Sequence, residues 1–206
     1  TSNFANDYTD GIALQSIKLV FEWLEKSVKT ADSEAREKMH NASTMAGMAF
    51  ANAFLGMSHS MAHKIGAVHH TVHGRTNAIL LPYVIRYNGT RPSKTTTWPK
   101  YNYWKADEKF QDIARMLGLP HSTPEEAVEA YAKAVYELGV AVGIKMNFKD
   151  QGIDEKAWKD SLHEIALLAY EDQCSPANPR LPMVADMEEI MADAYYGYAE
   201  RPGRRK

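Results

Sequence analysis

Apolar residues return every three or four positions along nearly the whole chain, and that period points to packed helices rather than sheets. Ala13, Ile17, Val20, Phe21, Leu24 and Val28 mark one amphipathic helix over about residues 10–29. Ser33 opens a second stretch that turns small and apolar from Ala42 to Leu55. Its alanines and Gly47 permit close helix approach, so this helix is expected to be central. Further helices are expected over residues 59–70, 77–87, 107–117, 123–142, 155–170 and 183–196. Within the fourth, Ile79-Leu80-Leu81 alone would also suit a strand, and Pro82 is expected to kink or restart the helix. Thr123-Pro124-Glu125-Glu126 supplies an N-cap, a proline at the first helical position and a capping-box acid. Residues 88–100 read as a polar linker, and residues 174–180, broken by Pro176 and Pro179, as a loop. Alternating strand patterns, internal repeats and glycine-rich phosphate loops are missing from the sequence. The expected architecture is a single all-α helical bundle over residues 1–206.

With 206 residues the chain can bury one sizeable core. Its net charge of −2 gives no general pull toward nucleic acid or an anionic membrane. Arg201, Arg204, Arg205 and Lys206 form a short basic tail that reads as a frayed terminus. No apolar run approaches the roughly 20 residues of a membrane span. Cys174 is the one cysteine, so an internal disulfide is impossible and a reducing, cytoplasmic setting is expected. The chain opens at Thr1 with no signal peptide, as a processed or truncated product would.

Chemistry concentrates in the histidines. His59, His63, His69, His70 and His73 crowd into fifteen residues, and imidazole is the commonest side-chain ligand of transition metals. On a helix, His59 and His63 share a face, which by spacing alone makes them the first choice as a ligand pair. His70 can share that face, whereas His69 points elsewhere. His73, before Gly74 at an expected helix break, can aim a further ligand back. No Asp or Glu lies between His59 and His73 to complete a site. Asp160 and His163 read as a solvated helix face, and His40 and His121 as isolated structural or exposed residues.

Residues 47–67 (GMAFANAFLGMSHSMAHKIGA), running on to residues 73–82 (HGRTNAILLP), closely resemble the signature of iron-dependent alcohol dehydrogenases. Residues 172–180 (DQCSPANPR) are similar to the pattern of the alcohol dehydrogenase module in bifunctional aldehyde-alcohol dehydrogenases. The resemblance covers nearly the whole chain and implies the C-terminal helical domain of that family. It implies that His59 and His73 are metal ligands, which replaces the pair that spacing preferred. It implies that His63 lies beside nicotinamide and substrate and relays a proton. It further implies that Phe50 packs near the nicotinamide and that Cys174 lies near the substrate pocket.

The family's remaining ligands come from an Asp-Ala-x-x-His turn, and no Asp-x-x-x-His occurs in this sequence. The glycine-rich nucleotide-binding domain is absent as well. What the resemblance implies for the parent protein is interconversion of a primary alcohol and an aldehyde with NAD(H), on Fe2+ or alternatively Zn2+. Its implied partners are the N-terminal nucleotide-binding domain and further copies in a homo-oligomer. The chain alone is expected to hold iron weakly and not to turn over alcohol. Two other readings compete: a non-enzymatic helical scaffold or assembly module with incidental metal binding, and a metallohydrolase completed by Asp160, His163 and Glu164.

Overall fold

Short polar side chains fix the starts of half of the helices. The computed structural model describes residues 1–92 and 104–197, which form eight α-helices and no strand. None of these helices is long and apolar enough to cross a membrane. Helix α1 (Asp7–Lys29) starts where Asn6 Oδ1 accepts the N–H groups of Tyr8 and Thr9, each at 3.1 Å. Asp32 caps α2 (Ser33–Ala53) by accepting Ala35 N–H at 2.8 Å. Thr123 caps α6 (Pro124–Ala141), and Glu126 returns to the Ser122 N–H at 2.7 Å, one residue before the cap. Each such cap satisfies donors that the first helical turn leaves free. The remaining helices are α3 (Met57–His69), α4 (His73–Gly89), α5 (Ala106–Met116), α7 (Glu155–Tyr170) and α8 (Val184–Tyr196).

The all-α expectation holds, with two corrections. The central helix is α4, not α2. One side of α4 (Ile79, Leu80, Tyr83, Val84) packs in a core shared with Met57, Met61, Ile65, Trp158, Met187 and Met191. Ile85 joins a second core with Phe110, Ile113, Val128 and Tyr131 from α5 and α6. A helix buried on both sides must be apolar nearly all round, and residues 79–85 are. Helix α2 instead lies against α1 and buries only Ala35, Ala42, Ala49 and Ala53. Its small residues serve that one close contact, where Ser16 Oγ donates to Ala42 O at 2.8 Å.

The second correction concerns Pro82, which does not restart its helix. α4 runs continuously through it, starting at His73 and ending at Gly89. The hydrogen bond that proline forfeits is offset by burial of its neighbours in both cores. Gly89 matters to this arrangement because a Cβ there would overlap the Val128 side chain of α6. The expected linker at residues 88–100 therefore begins later, and its residues 93–100 lie outside the described residues, as does the basic tail.

Candidate active site

A left-handed residue brings the histidines together. Helix α3 ends at His69, and His70 takes φ 54° and ψ 35°, the conformation that closes many helix ends. The chain reverses through Thr71 and Val72, so α4 starts with His73 alongside α3. His59 lies in the first turn of α3 and His63 one turn on. The ring centroids of His59 and His73 are 5.3 Å apart, those of His63 and His73 5.2 Å, and those of His59 and His63 6.3 Å. The His63 and His73 rings stack within 15° of parallel.

The other two members of the histidine run stand elsewhere. His70, off the helix, does not share the His59–His63 face; it lines a separate cavity with His69, Arg75 and Gln151. His69 stacks on Trp158 at 5.2 Å and pairs with Ser161 Oγ at 3.0 Å, a structural role. Asp160 pairs with Lys156 at 2.5 Å and His163 with Glu188 at 2.5 Å on the surface, so both act as solvated helix-face residues. His121 closes a local turn on Leu119 O at 2.7 Å, and His40 is exposed.

Electrostatics at the cluster favour a neutral His59. Burial first, then the neighbouring His73 and His63, lower the His59 pKa to about 4. A neutral imidazole is the form that binds a metal. The Asn77 amide lies 3.2 Å from His73 Nε2 and donates to His73 O at 3.2 Å, while Ser58 Oγ donates to Asn77 Oδ1 at 3.0 Å. The donor chemistry thus fits a transition ion, with two imidazoles that do not alone complete its shell.

Sequence reasoning gave no role to Asp172. Its Oδ2 lies 3.2 Å from His63 Nδ1 and 3.0 Å from Lys64 Nζ, and its Oδ1 accepts the Cys174 N–H at 3.0 Å. Burial alone would raise the pKa of this carboxyl, but the Cys174 N–H, Lys64 and His63 outweigh it and bring the value to about 2. Burial, followed by the Asp172 carboxylate, pushes the Cys174 thiol up to about 11. Among the described residues, His63, Asp172 and Cys174 form the one group of three ligand-type side chains whose donor atoms converge within 4.8 Å. The available signal was the Asp-x-Cys spacing in residues 172–174, but nothing in sequence ties it to a histidine 109 positions away.

The loop holding Asp172 and Cys174 is pinned to the helices that carry the histidines. Ser175 Oγ contacts Ser60 Oγ at 3.0 Å and donates to Ala169 O at 2.7 Å. Asn178 is buried; its Oδ1 accepts the Met57 N–H at 3.2 Å, and it exchanges amide hydrogen bonds with Asn88. Gly56 makes room for this, because a Cβ there would stand 2.8 Å from Asn178 Oδ1. Phe50 is half exposed on α2 and lines an apolar cleft of about 350 Å³ between α1, α2 and the α4–α6 layer.

The domain is all-helical among the described residues and brings the rings of three histidines from α3 and α4 together, and its family is given by comparison with known proteins. Residues 1–195 match the Fe-containing alcohol dehydrogenase family, C-terminal, and the chain belongs to that family as its C-terminal part. It is 80% identical over 205 residues to an aldehyde-alcohol dehydrogenase of Streptococcus pneumoniae serotype 2, covering 100% of this chain and 23% of that protein. The bifunctional aldehyde-alcohol dehydrogenase AdhE of Escherichia coli K12 is 38% identical over 201 residues, covering 95% of this chain and 23% of that protein. Among solved structures, a 1,3-propanediol oxidoreductase superposes with a TM-score of 0.81 at 34% identity, over 94% of this chain and 47% of that one. The chain therefore spans about a quarter of the aldehyde-alcohol dehydrogenases and about half of the single-module enzymes it matches.

Proposed function

We propose that the chain is the metal-carrying part of an alcohol dehydrogenase that interconverts a primary alcohol and an aldehyde with NAD(H). The observation that carries this reading is the convergence of His59, His63 and His73 through the αL turn at His70. His59 and His73 are the residues that would hold a divalent ion, iron in this reading, with zinc compatible with the same donors. When bound, such an ion supplies Lewis acidity to the alcohol or carbonyl oxygen.

The chain's own residues handle orientation and the proton. Burial keeps His59 neutral and its lone pair available. Asp172 Oδ2 lies 3.2 Å from His63 Nδ1, and a proton held between them leaves Nε2 as the atom to take a proton from the alcohol or return one to the alkoxide. Cys174, beside Asp172, borders the substrate position, and Phe50 would pack near the nicotinamide.

The nicotinamide and the other ligands come from an upstream nucleotide-binding half, the partner with which this domain works, in a cytoplasmic homo-oligomer. In isolation the chain is expected to bind iron weakly and to show no alcohol turnover. Metal content of the purified chain tests this. Weak, substoichiometric metal, lost in His59→Ala and in His73→Ala, supports the reading. One tightly bound ion per chain, or binding indifferent to both variants, overturns it.

A further inference from the structure

We propose that His63, Asp172 and Cys174 form a second cation site, for a thiophilic divalent ion such as zinc or cadmium, apart from the His59–His73 pair. One donor atom from each side chain lies within 4.8 Å of the others. A single ion can close that span, since zinc–nitrogen and zinc–sulfur bonds of about 2.0 and 2.3 Å set neighbouring donors roughly 3.5 Å apart in a tetrahedron. Imidazole, carboxylate and thiol together suit zinc and its heavier relatives, and a thiol ligand disfavours magnesium and calcium.

The surroundings are already arranged for positive charge. The Asp172 carboxylate holds the Lys64 ammonium at 3.0 Å while the backbone N–H of Cys174 fixes its other oxygen. The Asp172 side chain is only 7% exposed, and Cys174 is buried. Lys64, at 29% exposed, can swing outward as the ion arrives, and His63, at 35%, forms the open side of the site. On binding, the Cys174 S–H bond breaks, the sulfur keeps the electron pair and donates it to the ion, and one proton leaves to solvent; His63 carries its remaining proton on Nε2, so the Nδ1 lone pair is free for the ion. Thiolate and carboxylate then balance the two positive charges, with no oxidant or reductant involved. Occupancy ties His63 down through Nδ1, so an ion here would act as an inhibitor of any reaction that uses this ring. The proposal needs neither His59 nor His73 and stands independently of the dehydrogenase reading.

Cadmium reports thiolate ligation directly, because sulfur-to-metal charge transfer absorbs in the near ultraviolet where the aquo ion does not. Titration of the chain with cadmium is expected to saturate at one such band per chain. Cys174→Ser should abolish it, and His63→Gln and Asp172→Asn should each weaken the affinity at least about tenfold. The double variant His59→Ala/His73→Ala should keep it. Because Asp172→Asn removes a buried ion pair, circular dichroism checks its fold, and His63→Gln, at a partly exposed position, carries the same test. Absence of a saturable band, a band of unchanged affinity in His63→Gln (a lone thiol), or loss of the band in the His59/His73 variant would each overturn the proposal.

Discussion

The α3–α4 pair and the α1–α2 pair are both helical hairpins, yet they are held by opposite means. In α3–α4, fully buried Met57, Met61 and Ile65 share a core with α4, and a polar network from residues 172–180 fixes where α3 begins. In α1–α2 the buried contact rests on alanines and one Ser16 hydroxyl, and an apolar cleft of about 350 Å³ lies beside the pair, while Leu14, Ile17 and Phe21 of α1 pack on the next layer. Met48, Phe50 and Phe54 of that pair stay half exposed. Directional hydrogen bonds appear where ring positions must be fixed, and non-directional contact suffices where they need not be. Dispersion and area burial tolerate small shifts, whereas a buried amide that loses its partner does not.

The comparison breaks most readily at Asn178. Asn178→Ala strands the Asn88 amide and the Met57 N–H and should lower stability by about 3 kcal/mol in urea unfolding. A loss under about 1 kcal/mol would put the two hairpins on the same footing. Gly56→Ala follows, expected to cost about 2 kcal/mol, since the new methyl meets Asn178 Oδ1. The thermal midpoint of this variant, set beside that of Gly47→Ala on α2 where a Cβ meets nothing, measures how tight each region is.

Asp172→Asn sharpens the contrast through pH. The folded pKa of Asp172, about 2, lies below the roughly 3.9 of a free aspartate, so its stabilisation is fully present above about pH 4 and fades as pH falls through about 2. The variant should lose about 2 kcal/mol at pH 7 and nearly match the parent near pH 2, as read from denaturation at each pH. The smallest effect belongs to Phe50→Ser on the loose hairpin, expected within about 0.5 kcal/mol of the parent. A large loss there would show that α2 is held more firmly than its few buried alanines imply.

Much of the fold was legible in the sequence because caps and period are local signals. Thr123-Pro124 marked the start of α6, and residues 155–170 matched α7 to the residue. The first turn of α4 was missed since Val72 offers no side-chain cap, and no residue there announces a start. The central place given to α2 failed for a different reason: small residues show that a neighbour comes close, not how many neighbours there are. At the site, the spacing of His59 and His63 showed a shared face, but His73 joins them only through an αL turn made by a non-glycine residue. Asp172 was out of reach of any local argument, being tied to His63 purely by tertiary packing.

The hydrogen bond from Met57 N–H to Asn178 Oδ1 joins residues 121 apart in the chain. Closing so long a loop is entropically costly and slow compared with forming either helix. During synthesis, α3 and α4 leave the ribosome with all five histidines well before the side chain that anchors them exists. Fixing the start of α3 is therefore expected to come after the helices themselves have formed.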